Sequence, residues 1–244
     1  KIRLNEQTRK LLGEGNPKWT VGVERYEGDS IVVEFPKAGT YAATVILPTR
    51  GLYFPKYWVH DFSIHLNEPP VAKISVAKEI VSPNEVVTFS ATQSFDPEQQ
   101  PLKYEWFVNG EYRGNQPFLR FFSGSPGKYE VKLVVYDGST NSLCNSGTAL
   151  KMIRVNSQPY GEIQGSSVIA RATSAFFSLH GAYDPDGDSL TIRWDGIGII
   201  GSHTEEAVQV LQEEPGVYIL TATLSDGTGA TNGSYATSFR YRVN

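Results

Sequence analysis

The sequence contains little cysteine and no long apolar run, and each absence excludes a class of protein. Cys144 is the single cysteine, so no disulfide forms within the chain. Bacterial surface β-proteins also lack disulfides, so this count does not choose a redox compartment. No apolar stretch approaches the roughly 18 residues of a membrane span. Because Lys1 is not an initiator Met and no signal peptide is visible, we expect the chain to begin inside a longer precursor.

Basic residues are also sparse. The 22 Lys and Arg residues, against 26 Asp and Glu residues, give a net charge of −4 and form no basic stretch. A nucleic-acid partner would need such a patch, so we expect none. The four His residues show no metal-ligand spacing with the cysteine, and no Gly-x-Ser-x-Gly turn occurs. We therefore expect that the protein is not an enzyme.

Aromatic and turn-forming residues are abundant in this sequence. It contains 13 Tyr, 12 Phe and 4 Trp residues but a single Met, and its 23 Gly and 14 Pro residues fall in short clusters. Aromatic side chains suit the half-buried surface of a sheet, and Gly and Pro clusters suit the turns between strands. This composition indicates β-structure.

An internal repeat of 87 to 88 residues organises the chain. Each repeat contains a tryptophan, then a Gly-x-Tyr motif 20 to 22 residues later, then a final asparagine. These landmarks are Trp19, Gly39–Tyr41 and Asn67, then Trp106, Gly127–Tyr129 and Asn156, then Trp194, Gly216–Tyr218 and Asn244. Proline follows the first two asparagines within three residues, which ends one strand before the next repeat begins. We predict domains at residues 1–67, 68–156 and 157–244.

The strands after each Gly-x-Tyr motif alternate with period two, which predicts one buried face. The apolar members of these strands are Tyr41, Ala43, Val45 and Leu47, then Tyr129, Val131, Leu133 and Val135, then Tyr218, Leu220, Ala222 and Leu224. We expect the three tryptophans to lie mid-strand and to face inward. Regular strands separated by turns predict an all-β protein of three tandem immunoglobulin-like β-sandwiches. A helical turn at Glu6–Leu12 is the one exception that the pattern leaves open.

The first repeat is short at its front and should lack its opening strand. Ile2–Glu6 then corresponds to a second strand, aligned with Val87–Ala91 and Phe176–Leu179. One interpretation is that the chain starts in mid-domain. The other is that a strand from a neighbouring molecule or a preceding segment completes the sandwich.

Repeat two resembles the polycystic kidney disease (PKD) domain family. The residues that carry the resemblance are Asn67–Ala72, Ser94–Pro97, Leu102–Trp106, Gly127–Leu133 and Asp137–Gly138, and repeat three shares Ala182–Asp188, Trp194, Gly216–Tyr218 and Asp226–Gly227. The Trp-x-Phe-Gly-Asp-Gly turn of the family is absent, so these are divergent relatives. The resemblance implies a β-sandwich of microbial surface proteins and secreted hydrolases, which acts as a spacer or adhesion module without catalysis.

Two local clusters are candidate sites. Asp184, Asp186 and Asp188 place three carboxylates in one turn, and hard oxygen ligands of this kind suit Ca²⁺. The alternative is an ordinary Asp-Pro and Asp-Gly turn without metal. We expect no other cofactor.

The second cluster is the segment Gly51–Trp58, where four aromatic residues, Tyr53, Phe54, Tyr57 and Trp58, replace the Asp-Gly turn of the other repeats. As an exposed hairpin connection it could bind a polysaccharide or a protein. Alternatively, these rings cover the part of the core that the missing strand leaves bare. Alternation in Pro117–Phe122 also predicts that Phe118 and Phe122 are buried and that Phe121 lies on the other face.

The function that this sequence favours is a non-catalytic extracellular or cell-surface module. Its work would be spacing, surface-layer or filament building, or adhesion, through contacts with other copies or neighbouring domains. The alternative is a carbohydrate- or protein-binding accessory segment of a secreted hydrolase.

Overall fold

The computed structural model describes residues 2–3, 15–49, 56–139 and 144–244, and the regular structure in these ranges is entirely β-strand. The possible helical turn at Glu6–Leu12 lies outside the described residues. No helix in the described part of the chain is long and apolar enough to cross a membrane. The predicted all-β class is confirmed.

The strands of repeat one form a four-stranded sheet, ordered β3-β2-β5-β6, and a two-stranded sheet, β1-β4. These strands are β1 (Ile2–Arg3), β2 (Lys18–Val21), β3 (Glu24–Glu27), β4 (Ser30–Ile31), β5 (Gly39–Thr49) and β6 (Lys56–Leu66). The pairing of Ile2 with Ile31 makes β1 antiparallel to β4. The described part of Ile2–Glu6 is therefore a strand, as predicted.

Repeat two has the same strand order as the described strands of repeat one, with one strand added. Its strands are β7 (Ile80–Val81), β8 (Val87–Ser90), β9 (Lys103–Val108), β10 (Glu111–Gly114), β11 (Phe118–Phe121), β12 (Gly127–Tyr136) and β13 (Ser146–Val155). The larger sheet is β10-β9-β12-β13-β7 and the smaller one is β11-β8. The added strand, β7, lies parallel to the end of β13.

Repeat three has two four-stranded sheets, β15-β21-β20-β17 and β14-β16-β19-β18. Its strands are β14 (Tyr160–Gln164), β15 (Val168–Ile169), β16 (Ala175–Tyr183), β17 (Thr191–Asp195), β18 (Ile199–Ile200), β19 (Ala207–Val210), β20 (Gly216–Ser225) and β21 (Ser234–Val243). Here the opening segment contributes β14 to one sheet and β15, parallel to β21, to the other.

The repeated tryptophans are buried in the cores, as predicted, with 3%, 0% and 1% of Trp19, Trp106 and Trp194 exposed. Each indole N–H donates to a main-chain carbonyl of its own repeat, over 2.7 to 2.8 Å. These carbonyls belong to Gly28, Gln116 and Glu205. A buried tryptophan needs such an acceptor, so the hydrogen bond explains why the residue recurs at a fixed place.

The repeated Gly-x-Tyr motif forms a tyrosine corner in every repeat. The hydroxyls of Tyr41, Tyr129 and Tyr218 each donate to the carbonyl four residues earlier, over 2.8 to 2.9 Å. Corners of this kind occur in immunoglobulin-like sandwiches, where they fix the entry to a central strand. Gly39 and Gly127 have φ near +135° and +140°, which disfavours any side chain at the same turn.

The core alternation is confirmed in β5, β12 and β20, but the prediction for the phenylalanine cluster is wrong by one residue. Leu119 and Phe121 are buried, whereas Phe118 and Phe122 are more than half exposed. The reason is that Leu119 pairs with the fully buried Phe89 of β8, which fixes the register of β11. A slip of one residue exchanges the two faces of a strand.

The chain divides into two compact units. The first comprises Lys1–Val71, Ser94–Lys103 and Val135–Gly147, and its core includes Trp19, Val45 and Leu47. The second comprises Ala72–Gln93, Tyr104–Val134 and Thr148–Asn244, and one of its cores contains Phe177, Trp194 and Leu220. The domain boundaries at 67/68 and 156/157 stay predictions.

Candidate functional site

The asparagine that ends repeat two holds the start of repeat three to the turn after β20. Asn156 is fully buried, and its Nδ2 donates to Asp226 Oδ2 over 2.7 Å and to the Ser157 carbonyl over 2.8 Å. Asp226 Oδ1 accepts the backbone N–H and the hydroxyl of Thr228, at 2.8 and 2.7 Å. The Asp-Gly turn is thereby tied to the residue at which the preceding repeat ends.

The same construction recurs at the end of repeat one. Asn67 Nδ2 donates to Asp137 Oδ2 over 2.7 Å, to the Cys144 carbonyl over 2.7 Å and to the Glu68 carbonyl over 3.0 Å. Its Oδ1 accepts from Gln100 Nε2 over 2.8 Å. In both places 70 residues separate the asparagine from the aspartate that it contacts. We call these two hydrogen-bonded groups the first and the second junction.

An Asp-Pro loop completes each junction. Asp184 Oδ1 accepts the backbone N–H groups two and four residues later, at 2.8 and 3.3 Å, and Asp96 Oδ1 does the same at 3.0 Å each. Both aspartates are buried. The position with positive φ is Gly187 in one loop and Gln99 in the other. The hydrogen bonds are those of a tight aspartate turn, which was one of the two predicted interpretations.

The three aspartates of the predicted calcium site do come together. Their carboxylate oxygens lie within 4.8 Å of one another. All four oxygens of Asp186 and Asp188 already have partners, because Asp186 accepts the Ser157 N–H and hydroxyl, at 2.6 and 3.0 Å, and Asp188 accepts from the Arg154 guanidinium, at 2.7 and 3.1 Å. Asp184 Oδ2 is buried and has no hydrogen-bond partner.

Arg154 supplies a positive charge beside the three carboxylates. Its side chain is 17% exposed and that of Asp188 is 24% exposed, so the ion pair is largely shielded from water. Burial lowers the pKa of Arg154, but the hydrogen bonds that Arg154 donates to Asp188 and the charges of Asp188, Asp186 and Asp184 raise the pKa above its usual value. The arginine therefore stays charged and offsets part of the repulsion within the cluster.

The electrostatics of Asp226 follow from its hydrogen bonds. Burial raises its pKa, but the Thr228 backbone, the Asn156 amide and the Thr228 hydroxyl stabilise the carboxylate and lower the pKa below its usual value of 3.8. Hydrogen bonds to the ionised form act in this direction. The junction thus contains an anion that is stable at neutral pH.

Calcium fits this set of groups in part. The ion takes six to eight oxygen ligands, among them carboxylate and main-chain oxygens. Asp184 Oδ2 is a buried oxygen without a partner, and Asp186 lies beside it. Asp188 differs, because both of its oxygens contact Arg154, which would have to release them.

Asn232 also contributes hydrogen bonds to the second junction. Its Nδ2 donates to the Asn156 carbonyl over 2.9 Å, and its backbone N–H donates to Ser82 Oγ over 3.2 Å. Asn232-Gly-Ser234 is a formal N-glycosylation sequence. The amide nitrogen that would carry the sugar is engaged in the folded protein.

The predicted aromatic site is only partly described. Tyr53 and Phe54 lie outside the described residues. Tyr57 and Trp58 lie within β6, where they pair with Pro48 and Leu47. The prediction that they lie in a hairpin connection is therefore wrong. They point to opposite faces and are 64% and 49% exposed. Alternating residues along this strand pack against each other on the face of Trp58.

That face carries a ladder of three rings. Trp58 stacks on His60, with ring centroids 5.1 Å apart and an interplanar angle of 7°, and His60 lies 6.0 Å from Phe62. The ring centroid of Phe62 in turn lies 6.4 Å from that of the buried Trp19, and the two rings are nearly perpendicular. We call Trp58, His60 and Phe62 the aromatic ladder.

Sequence reasoning missed the partners of the junction asparagines. The asparagines and the Asp-Gly turns were both recognisable as repeated landmarks. The signal that connects them was the equal separation of Asn67 from Asp137 and of Asn156 from Asp226. The role of Arg154 had no comparable signal, because His65 stands at the equivalent position of repeat one.

One segment of the chain matches a known family model. Residues 67–152 match the family model of the PKD domain. The matched segment begins at Asn67 and includes Asp137, so both members of the first junction's central hydrogen bond lie within it.

Several solved structures of low sequence identity are also similar. The fibronectin(III)-like modules of Clostridium thermocellum CbhA are 14% identical, over 71% of this chain and 95% of theirs, with a TM-score of 0.35. The three N-terminal domains of the outer capsid protein Hoc of bacteriophage RB49 are 11% identical, over 94% and 87%, with a TM-score of 0.47. Drosophila N-cadherin EC1-4 is 14% identical, over 96% and 69%, with a TM-score of 0.30.

Proposed function

We propose that the chain is a non-catalytic structural segment of an extracellular or cell-surface protein, in which neighbouring β-sandwiches are mechanically coupled. The observation that carries this proposal is the hydrogen bond from asparagine to aspartate, made at the same separation at both junctions. A rigid spacer or a filament needs repeats that do not turn independently. The PKD domain match of residues 67–152 supports the same class of function.

The physical basis of the coupling is the absence of a linker at each junction. In the second junction Asn156 directly follows β13, and its side chain contacts Asp226 of the next repeat. The neighbouring Ser157 contacts Asp186, and Ser82 contacts Asn232. Flexible linkers, by contrast, leave domains free to reorient.

Nitrogen-15 relaxation of the full chain tests the coupling. We expect the backbone amides of residues 68–156 and those of residues 157–244 to give the same rotational correlation time. Asn156→Ala removes the central hydrogen bonds of the second junction and should separate the two correlation times. Asn115→Ala, in an exposed loop of repeat two, is the matched control. Independent tumbling of the repeats in the unmodified chain would contradict the proposal.

Calcium binding at Asp184, Asp186 and Asp188 is a second proposal, supported by the buried Asp184 Oδ2 that has no partner. We expect heat in a calorimetric titration with millimolar CaCl₂ and a higher melting temperature. Asp184→Asn should remove both effects, and Arg154→Met should strengthen binding because it frees Asp188. The absence of heat with both the unmodified chain and the Arg154→Met variant would exclude this calcium site.

A carbohydrate-binding role is the alternative, and the exposed Tyr57 and Trp58 are its support. Sugars stack on free ring faces. One face of Trp58 is already covered by His60, which leaves Tyr57 as the better platform. Binding on a glycan array that is lost with Tyr57→Ala would favour this role over the structural one.

A further inference from the structure

The chain contains two Asn-Gly dipeptides, Asn109-Gly110 and Asn232-Gly233. Asparagine is a thermolabile residue. An asparagine followed by glycine deamidates with particular ease, because glycine has no side chain to hinder the reaction of its main-chain nitrogen. The surroundings of the two dipeptides therefore decide which of them reacts.

The reaction needs only water and hydroxide. Hydroxide removes the proton from the glycine main-chain nitrogen, which then attacks the asparagine Cγ. A bond from this nitrogen to Cγ forms, negative charge develops on Oδ1, and the bond from Cγ to Nδ2 breaks as ammonia leaves with a proton from solvent. Water opens the cyclic imide to aspartate or isoaspartate. A hydrogen-bond donor to Oδ1 stabilises the transition state.

The surroundings of Asn109 favour this reaction. Asn109 and Gly110 are exposed and form the two-residue connection between β9 and β10, with φ of +49° and +82°. The Glu130 backbone N–H donates to Asn109 Oδ1 over 2.9 Å, so a donor already lies where the negative charge develops. The Gly110 N–H has no hydrogen-bond partner among the described residues.

The surroundings of Asn232 oppose it. The Gly233 N–H donates to the Ala230 carbonyl over 2.9 Å, and Asn232 Nδ2, the leaving group, donates to the Asn156 carbonyl over 2.9 Å. Asn232 Oδ1 is buried without a hydrogen-bond partner, so the charge that develops there is not stabilised. Because the contact with Asn156 belongs to the second junction, opening of the junction frees Nδ2 and admits water to Oδ1.

Position 233 has no room for a side chain that would slow the reaction. A Cβ atom there would lie 2.6 Å from Asp226 Oδ1 and 3.0 Å from the Ala230 carbonyl oxygen. Asp226 Oδ1 is itself held by two hydrogen bonds from Thr228. The packing of the second junction therefore requires the dipeptide that deamidates.

We propose that Asn232 is a deamidation site that the closed second junction protects, and that its conversion to aspartate or isoaspartate leaves the junction weakened. Either product lacks the amide N–H that donates to the Asn156 carbonyl and places a negative charge against that oxygen. Isoaspartate also lengthens the main chain by a methylene group. Protection of Asn232 requires the contacts of the second junction, but not the mechanical coupling that we propose for the repeats.

Peptide mapping by mass spectrometry of the full chain, incubated at mildly alkaline pH, measures both dipeptides in one sample. In the folded chain we expect Asn109 to deamidate at least about ten-fold faster than Asn232, which reacts only from the open fraction of the junction. In urea the two rates should agree within about three-fold, since neither dipeptide then has its folded contacts. Equal rates in the folded chain, or a ten-fold difference that persists in urea, would overturn the proposal.

Two variants link the protection to the junction. Asn156→Ala removes side-chain hydrogen bonds of the junction and should speed deamidation of Asn232 at least about five-fold, with Asn109 unchanged. Ser82→Ala removes only the acceptor of the Asn232 backbone N–H and should speed the same reaction about two-fold. Asn115→Ala, the matched control, should change neither rate. A rate at Asn232 that neither junction variant raises would overturn the proposal.

Asn232→Asp imitates one product and tests the consequence of the reaction. Hydrogen exchange of the amides around Asp226 should become about ten-fold faster in this variant, whereas Asn109→Asp should leave it unchanged. Equal exchange in Asn232→Asp and the unmodified chain would overturn the proposed weakening. Independent tumbling of the repeats together with slow deamidation of Asn232 would contradict the mechanical coupling but support protection by the junction contacts.

Discussion

The two junctions share one hydrogen bond but differ in charge. At the second junction, Arg154 and Asp188 form an ion pair beside Asn156. At the first, the loop position of Asp188 is occupied by Gln100, whose neutral amide donates directly to Asn67. The shared part is the contact between the asparagine and the Asp-Gly turn, whereas the surrounding charge can be exchanged for an amide.

Burial distinguishes the junctions as well. Asn156 is fully buried, whereas Asn67 is only half-buried. A buried polar group that loses its partner costs more than an exposed one, because water cannot replace the lost hydrogen bond. The second junction should therefore be the more sensitive of the two to substitution.

The largest expected effect comes from breaking the ion pair. Arg154→Met leaves three carboxylates without their cation, and we expect a loss of about 3 kcal/mol of unfolding free energy in repeat three. Hydrogen exchange with mass spectrometry of residues 157–244 measures it locally. The double variant Arg154→His with Asp188→Gln imitates the first junction and should recover all but about 1 kcal/mol. If the Arg154→Met variant were as stable as the unmodified chain, the ion pair between Arg154 and Asp188 would not contribute to stability.

Removal of the junction asparagines compares the two sites directly. We expect Asn156→Ala to cost about 2 to 3 kcal/mol and Asn67→Ala about 1 to 2 kcal/mol, since both lose hydrogen bonds to a carboxylate but only the first is fully buried. Hydrogen exchange of the backbone amides around Asp226 measures the loss of stability in the first variant, and exchange around Asp137 measures it in the second. The reverse order would mean that the additional acceptors of Asn67 outweigh burial.

Acid should weaken the second junction, and this loss of stability should be smaller than the losses expected from the substitutions above. The pKa of Asp226 is lowered in the folded protein, so its contribution to stability is complete above the usual pKa of 3.8 and is lost as the pH falls further. Thr228→Val removes one hydrogen bond to this carboxylate, so the variant should lose less stability between neutral and acid pH than the unmodified chain does. Exchange rates near Asp226, measured between pH 6 and pH 3, test this. Identical pH profiles for the two proteins would contradict it.

The fold could be predicted largely from the sequence because its landmarks have strict local requirements. A buried indole needs an acceptor, and a tyrosine corner needs its hydroxyl four residues after a carbonyl. Such requirements repeat wherever the fold repeats, so Trp106 and Tyr129 recur at constant spacing. The period-two alternation of β12 and β20 then assigns their buried faces.

The remaining features depend on contacts that sequence periodicity does not contain. The register of β11 is set by Phe89 across the sheet, and three phenylalanines in six residues suit either face equally well. The pairing of Arg154 with Asp188 joins residues 34 positions apart and occurs in one junction only. The sequence predicts a connection at Tyr57 and Trp58 because Gly51–Trp58 replaces the Asp-Gly turn of the other repeats, whereas β6 already begins at Lys56 and is longer than a typical strand.

The position of Asn232 has a consequence for secretion in a glycosylating host. Its amide nitrogen is free only until repeat three has docked onto the Asn156 carbonyl, so sugar transfer and folding compete for one atom. The fraction of chains that leave such a host with a glycan at Asn232 would then record how long the second junction stayed open during synthesis.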